Sequence, residues 1–171
     1  MNWEAIGAIS GFLSAVALIA TLGYVAIQLR QNTATLRSAA TQATHDQTAA
    51  LYDLLASDGE LSETFVRGLA APDALDHVQT ARFYALLFGI MFRYQNWFLQ
   101  TRAHALDKEH IETWTRVLLS ISGTPGFKKF WADRRHLFTD VMVQRLEQDG
   151  LWGKRDPNYH PMGVQLEDPS P

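Results

Sequence analysis

The chain has 171 residues, 47% of them apolar and only 19% charged, with a formal net charge of −3 and no cysteine. That balance excludes a disordered chain and a large basic field for nucleic acid, and the missing thiols exclude disulfides, thiolate metal sites and a cysteine nucleophile. The length suits one membrane segment plus one soluble domain of ordinary size.

Ala5 to Leu29 form a run of 25 residues without a charged side chain, AIGAISGFLSAVALIATLGYVAIQL. A helix of about 20 such residues, rising ~1.5 Å each, crosses a hydrocarbon core of roughly 30 Å, so a transmembrane anchor is predicted over residues 1–29. The polar members of the run are Ser10, Ser14, Thr21 and Gln28. The serine and threonine hydroxyls can bond back to helix carbonyls and cost little there. Trp3 and Tyr24 lie 21 positions apart, a spacing that suits the two membrane interfaces. A buried helix of a soluble fold is the plain alternative, opposed by the lack of charge on every face over the whole run. A cleaved secretory signal is opposed by Glu4 and the absence of a basic start. Arg30 and Arg37 follow the run closely, which places the amino terminus outside and the main domain in the cytoplasm. Gly7, Gly11 and Ala15 recur at four-residue spacing and would line one face for pairing with a second helix, although small residues are common in such spans anyway.

Residues 30–57 contain no proline or glycine and are predicted to carry the helix on as a juxtamembrane rod. Two thin heptad rows run along it: Leu29, Leu36, Ala43 and Ala50, and beside them Thr33, Ala40, Gln47 and Leu54. This stripe suits a rod that continues the membrane helix, and equally one that packs on the domain or on a second copy; alanine and threonine are too frequent in it for a firm coiled-coil reading. Ser57-Asp58-Gly59 should end this helix, and Glu60 to Leu69 should form a short one with Leu61, Phe65 and Leu69 on one side. After a break at Ala71-Pro72-Asp73, Asp76 and Gln79 have the spacing of a capping box.

The helix predicted from Val78 to about Ala105 holds seven of the 19 aromatic residues between Phe83 and Phe98. Phe83, Leu87, Ile90, Tyr94 and Trp97 make one stripe, while Phe88, Phe92 and Leu99 fall on other faces, so this helix should be the core element, surrounded by the rest. Further helices are predicted from Asp107 (Ile111, Trp114, Leu118, Ile121) to Gly123, from Pro125 (Phe127, Phe130, Trp131), and from Asp140 to Gln148 with Val141 and Leu146 inward. Residues 58–149 thus form a helical bundle core. Residues 150–171, with four prolines, form an irregular tail that Trp152, Tyr159 and Met162 could anchor. The fold class is all-α: one N-terminal transmembrane helix continuing into a rod, then a compact bundle of five or six helices.

No phosphate loop, dinucleotide fingerprint, zincin pair or serine elbow is present, and no cofactor is predicted. Asp107 with His110 and Asp133 with His136 have a metal-compatible spacing, but the aromatic helix offers no facing carboxylate, so these read as caps and surface residues. Arg93, with Tyr94, Gln95 and Asn96, is the densest polar cluster on that helix. Pairing with Glu112, Asp53 or Glu63 is the plain reading, and a ligand or partner pocket around Arg93 and Asn96 the functional one. Lys128, Lys129, Arg134 and Arg135 either face anionic lipid headgroups or form an ordinary surface balanced by Asp133 and Asp140.

The stretches YVAIQLRQNT (24–33), ARFYALLFGIMFRYQNWF (81–98) and PGFKKFWADRRHLF (125–138) together resemble an uncharacterised family of small bacterial proteins. The resemblance covers roughly residues 15–148 and implies a single membrane helix, a helical cytoplasmic domain and a bacterial inner-membrane location. It carries no activity, cofactor or catalytic residue. Two functional readings stand on this. One is a membrane-tethered interaction or scaffold module, with membrane lipid and a protein partner or second copy as its contacts and no nucleic acid. The other is a small-ligand-binding sensor or enzyme that uses a pocket in the aromatic bundle.

Overall fold

The computed structural model describes residues 3–148, and all regular structure among them is helical. Six α-helices follow in order: α1 (Trp3–Ser57), α2 (Gly59–Ala70), α3 (His77–Arg102), α4 (Lys108–Ser122), α5 (Pro125–Arg134) and α6 (Asp140–Gln148), with short 3-10 turns at Pro72–Ala74 and Arg135–Leu137. The chain divides into two units, residues 3–43 and residues 44–148. The tail anchors Trp152, Tyr159 and Met162 lie outside the described residues.

The first unit is a single stretch of α1. It carries the one helix among the described residues long and apolar enough to cross a membrane. Its large apolar side chains are exposed on every face: Phe12 and Ile19 at 70%, Leu13 at 62%. Three of the four polar residues in the uncharged run close their bonds within the helix. Ser10 Oγ donates to the Gly7 carbonyl at 3.0 Å, Thr21 Oγ1 to the Ala17 carbonyl at 2.8 Å, and Gln28 Nε2 to the Tyr24 hydroxyl at 2.6 Å. The helix therefore presents little unsatisfied polarity along its length.

The second unit begins inside the predicted juxtamembrane segment because the end of α1 is already part of its core. Thr44 and Leu55 are buried, whereas Leu36 and Leu54, members of the predicted heptad rows, are exposed. The inward row is Thr44, Thr48, Leu51 and Leu55. Thr48 sits in it without strain because its hydroxyl donates to the Thr44 carbonyl at 2.9 Å.

Caps fix the later helix starts. Asp58 accepts from the Leu61 amide at 3.0 Å, and Asp76 and Gln79 form the expected reciprocal box. The amide of Gln79 and then that of Val78 hold the Asp76 carboxyl below its ordinary value, so this cap weakens only as pH falls through that lowered value. Thr124 caps α5, accepting from Phe127 N at 3.3 Å and donating to the Ile121 carbonyl at 2.7 Å, which ties the end of α4 to the start of α5. Asp107 occupies the corresponding position before α4, yet its side chain makes no capping bond.

α3 stops at Arg102, three residues short of the predicted end, in a Schellman arrangement. Ala105 N bonds to the Gln100 carbonyl at 2.9 Å, and His104 N to the Thr101 carbonyl at 3.1 Å. His104 takes the left-handed position that glycine usually fills, with φ 59°. Left-handed backbone costs a residue with a Cβ roughly 1–2 kcal/mol, which glycine avoids at some entropic cost. His104→Gly is therefore expected to stabilise the chain by about 0.5 kcal/mol, read as a raised unfolding midpoint.

The core is aromatic. Phe83, Leu87, Met91, Phe127, Phe130 and Met142 are 0% exposed, and each such burial contributes about 1.5–3 kcal/mol relative to exposure. α3 supplies its predicted stripe, but it is not surrounded. Phe92 is 47% exposed and Leu99 42%, because the main neighbours of α3, namely α2, α4 and α5, cover only part of its circumference. In α6, Met142 and Leu146 point inward while Val141 is exposed, so the inward position precedes Leu146 by four residues instead of five. α2 and α5 approach at Gly68 and Gly126 until their backbones nearly touch.

Candidate functional site

Within the second unit, the end of α1, one face of α3 and one face of α4 enclose a cleft of about 70 Å³. Helical spacing decides what enters it. On α3, Ile90, Arg93, Tyr94 and Trp97 follow the i, i+3, i+4, i+7 rule and so share one face. On α4, Trp114, Val117, Leu118 and Ile121 do the same, and on α1 the residues are Thr48, Leu51, Tyr52 and Leu55. Phe65 of α2 completes the wall. The Trp97 and Trp114 rings meet at 5.1 Å between centroids.

The predicted polar cluster on α3 is split by the helix geometry, since consecutive residues point about 100° apart. Tyr94 turns inward, and its hydroxyl bonds Thr115 Oγ1 at 2.8 Å. Gln95 reaches the residue just before α6, where its Oε1 accepts from Thr139 N at 3.0 Å and Thr139 Oγ1 at 3.2 Å. Asn96 is exposed and does not line the cleft. Arg93 does line it and is half-buried. The acids named as its plain partners do not reach it. Glu63 pairs with Arg67 at 3.6 Å, and Arg93 makes no ion pair or hydrogen bond among the described residues. Space for its head comes from Gly89: a Cβ there would lie 3.1 Å from Arg93 Nη1. Of the other arginines on this helix, Arg82 pairs with Glu60 at 2.9 Å, and Arg102 lies in the last turn, where the helix dipole favours a cation.

Lys128, Lys129, Arg134 and Arg135 are all exposed, and three of the four have partners. Lys129 binds Asp73, Arg135 pairs with Glu147 at 3.3 Å, and Arg134 lies 5.6 Å above the Tyr84 ring. The acids in direct contact are Asp73 and Glu147, while Asp133 acts on Lys129 through charge without an ion-pair contact. Asp133 instead accepts from the Tyr84 hydroxyl at 2.8 Å. Burial, and then this hydrogen bond, push the Tyr84 phenol up to about 12. Because that value lies above the unfolded one near 10, the contribution is complete below about pH 10 and fades as pH climbs toward 12.

Gly7 and Gly11 have nothing within 4 Å of where a Cβ would stand, and Ala15 is likewise exposed, so this face of α1 is open. Sequence reasoning found Arg93, Tyr94, Trp97 and the α4 stripe, but not the α1 wall. The signal for that wall was Leu51 and Leu55, continued toward the amino terminus by threonines that read as polar. Comparison of the chain with protein-family models, with curated proteins and with solved structures finds no match in any of the three, so the functional reading rests on this geometry.

Proposed function

We propose that the chain is a membrane-tethered helical module, anchored in a bacterial inner membrane by residues 5–29 with its amino terminus outside. Residues 44–148 would hold a protein partner or a second copy beside the bilayer. One observation carries this reading: the apolar side chains of the run are exposed all round the helix. Eleven large aliphatic or phenyl side chains from Ile6 to Leu29 are each 47% exposed or more. Leaving them in water forgoes on the order of 10–20 kcal/mol, comparable to the whole stability of a domain. Lipid removes that cost, and a tether raises the local concentration of membrane partners without new contacts.

The full chain is expected to stay in the membrane pellet after alkaline carbonate extraction. Recovery in the supernatant would sink the anchor. Because the chain has no cysteine, a single Thr113→Cys substitution reports topology. A membrane-impermeant maleimide should label it only after the inner membrane is opened. Crosslinking in native membranes then addresses the partner, and a lone monomer under every condition would count against the module.

A second reading, a small-ligand-binding sensor or enzyme, is favoured by one specific observation. The cleft reaches a half-buried arginine that has no ion pair or hydrogen bond among the described residues.

A further inference from the structure

Arg93 and Gly89 are best understood together. A guanidinium carries five donors and cannot shed its charge inside a protein. Half-burying one beside apolar walls, with no acceptor from the protein among the described residues, is unfavourable unless something else supplies the acceptor. Glycine in mid-helix is less favourable than alanine, because it loses more backbone freedom on folding. What Gly89 returns for that cost is room: a Cβ there would crowd Arg93 Nη1 at 3.1 Å. Sequence and packing thus set aside space for a cation at the wall of the cleft.

The rest of the cleft sets the shape of what that cation would meet. Leu51, Leu55, Ile90, Trp97 and Leu118 present apolar surface. A cavity that accepts benzene has about 150 Å³ and this cleft about 70 Å³, so it takes only the end of a small apolar group. A peptide would leave its amides unsatisfied against these walls.

We propose that the cleft between α1, α3 and α4 takes the end of an unbranched alkyl chain bearing an anionic head, and that Arg93 holds the head through paired N–H donors. This rests on the ligand-binding reading and stands or falls independently of the membrane anchor. The head can belong to a free fatty acid or to an anionic lipid, since carboxylate and phosphate offer the guanidinium the same pair of oxygens.

Tryptophan fluorescence tests it, because Trp97 and Trp114 line the cleft. The full chain in phosphatidylcholine nanodiscs is titrated with 10-bromodecanoate, whose bromine quenches on contact, and in parallel with 10-bromodecyltrimethylammonium. Saturable quenching is expected from the carboxylate and not from the ammonium. Arg93→Gln should raise the half-saturating concentration about tenfold or more, and Gly89→Ala should raise it a few-fold. Unspecific partition into the nanodisc is the same in Arg93→Gln and so is subtracted. Nanodiscs that carry chain-brominated phosphatidic acid form the second arm: Arg93-dependent quenching there points to a bilayer lipid, and in the first arm to a free acid. Equal quenching by the ammonium probe overturns the assignment of the head while leaving a ligand site. No Arg93-dependent quenching by either anion overturns the proposal, and the comparison of probes on the unmodified chain needs no variant to fold.

Discussion

Replacing Gly126 by alanine is expected to destabilise the second unit by about 3 kcal/mol or more, a fall of roughly 10 °C in the unfolding midpoint. The new Cβ would land on the Gly68 carbonyl oxygen, with the Gly68 carbonyl carbon at 2.7 Å and Leu69 Cα at 3.0 Å. All three are backbone atoms, so no rotamer change relieves the overlap and α2 must separate from α5. Gly68→Ala meets a different obstacle, the Phe83 ring at 2.5 Å, which is itself fully buried. Gly59→Ala is the control. Nothing lies within 4 Å of its Cβ position, and it should change stability by no more than about 0.5 kcal/mol. Thermal unfolding of the detergent-solubilised chain, followed by circular dichroism, checks all three. A Gly126→Ala midpoint equal to that of Gly59→Ala would show that the α2–α5 approach is looser than described.

Phe130→Ala is expected to cost about 3–5 kcal/mol, through lost burial and the cavity left behind. The Phe130 ring lies 5.0 Å from Phe88, 5.2 Å from Tyr84 and 6.0 Å from Phe127, so its loss unpacks α3 from α5. Phe92→Ala removes a ring of the same size, stacked on Phe88 at 5.7 Å but 47% exposed, and should cost less than half as much. Denaturant titration of both variants gives the comparison. Equal losses would mean that the exposed face of α3 is covered in solution by something the isolated chain does not provide.

Where helices begin and end was largely legible in the sequence because the signals are local. Asp58, Asp76 and Thr124 act within three residues of themselves, and their partners are backbone amides that every helix start offers. The end of α3 was not legible. His104 in the left-handed position is an uncommon substitute for glycine, and only the backbone bonds of Ala105 and His104 reveal it.

The site was half legible. Periodicity grouped Ile90, Tyr94 and Trp97 and suggested that Arg93 mattered, yet it joined Asn96 to the same cluster, and helical geometry turns that residue away. It also supplied Arg93 with plausible acids that distance denies it. The α1 wall was missed because Thr44 and Thr48 count as polar in any hydropathy pattern. A threonine whose hydroxyl bonds its own helix behaves as a small apolar residue when buried.

By itself the sequence determined the uncharged run over 5–29, the all-helical class, the order of the elements and most caps, since each depends on composition or on spacing within a few turns. Tertiary structure alone decided which face of each helix is covered, that Gly68 and Gly126 let two backbones meet, and that Arg93 looks into a cleft without an acceptor among the described residues. Those facts depend on distances between residues far apart in the chain, and no local pattern encodes such a distance.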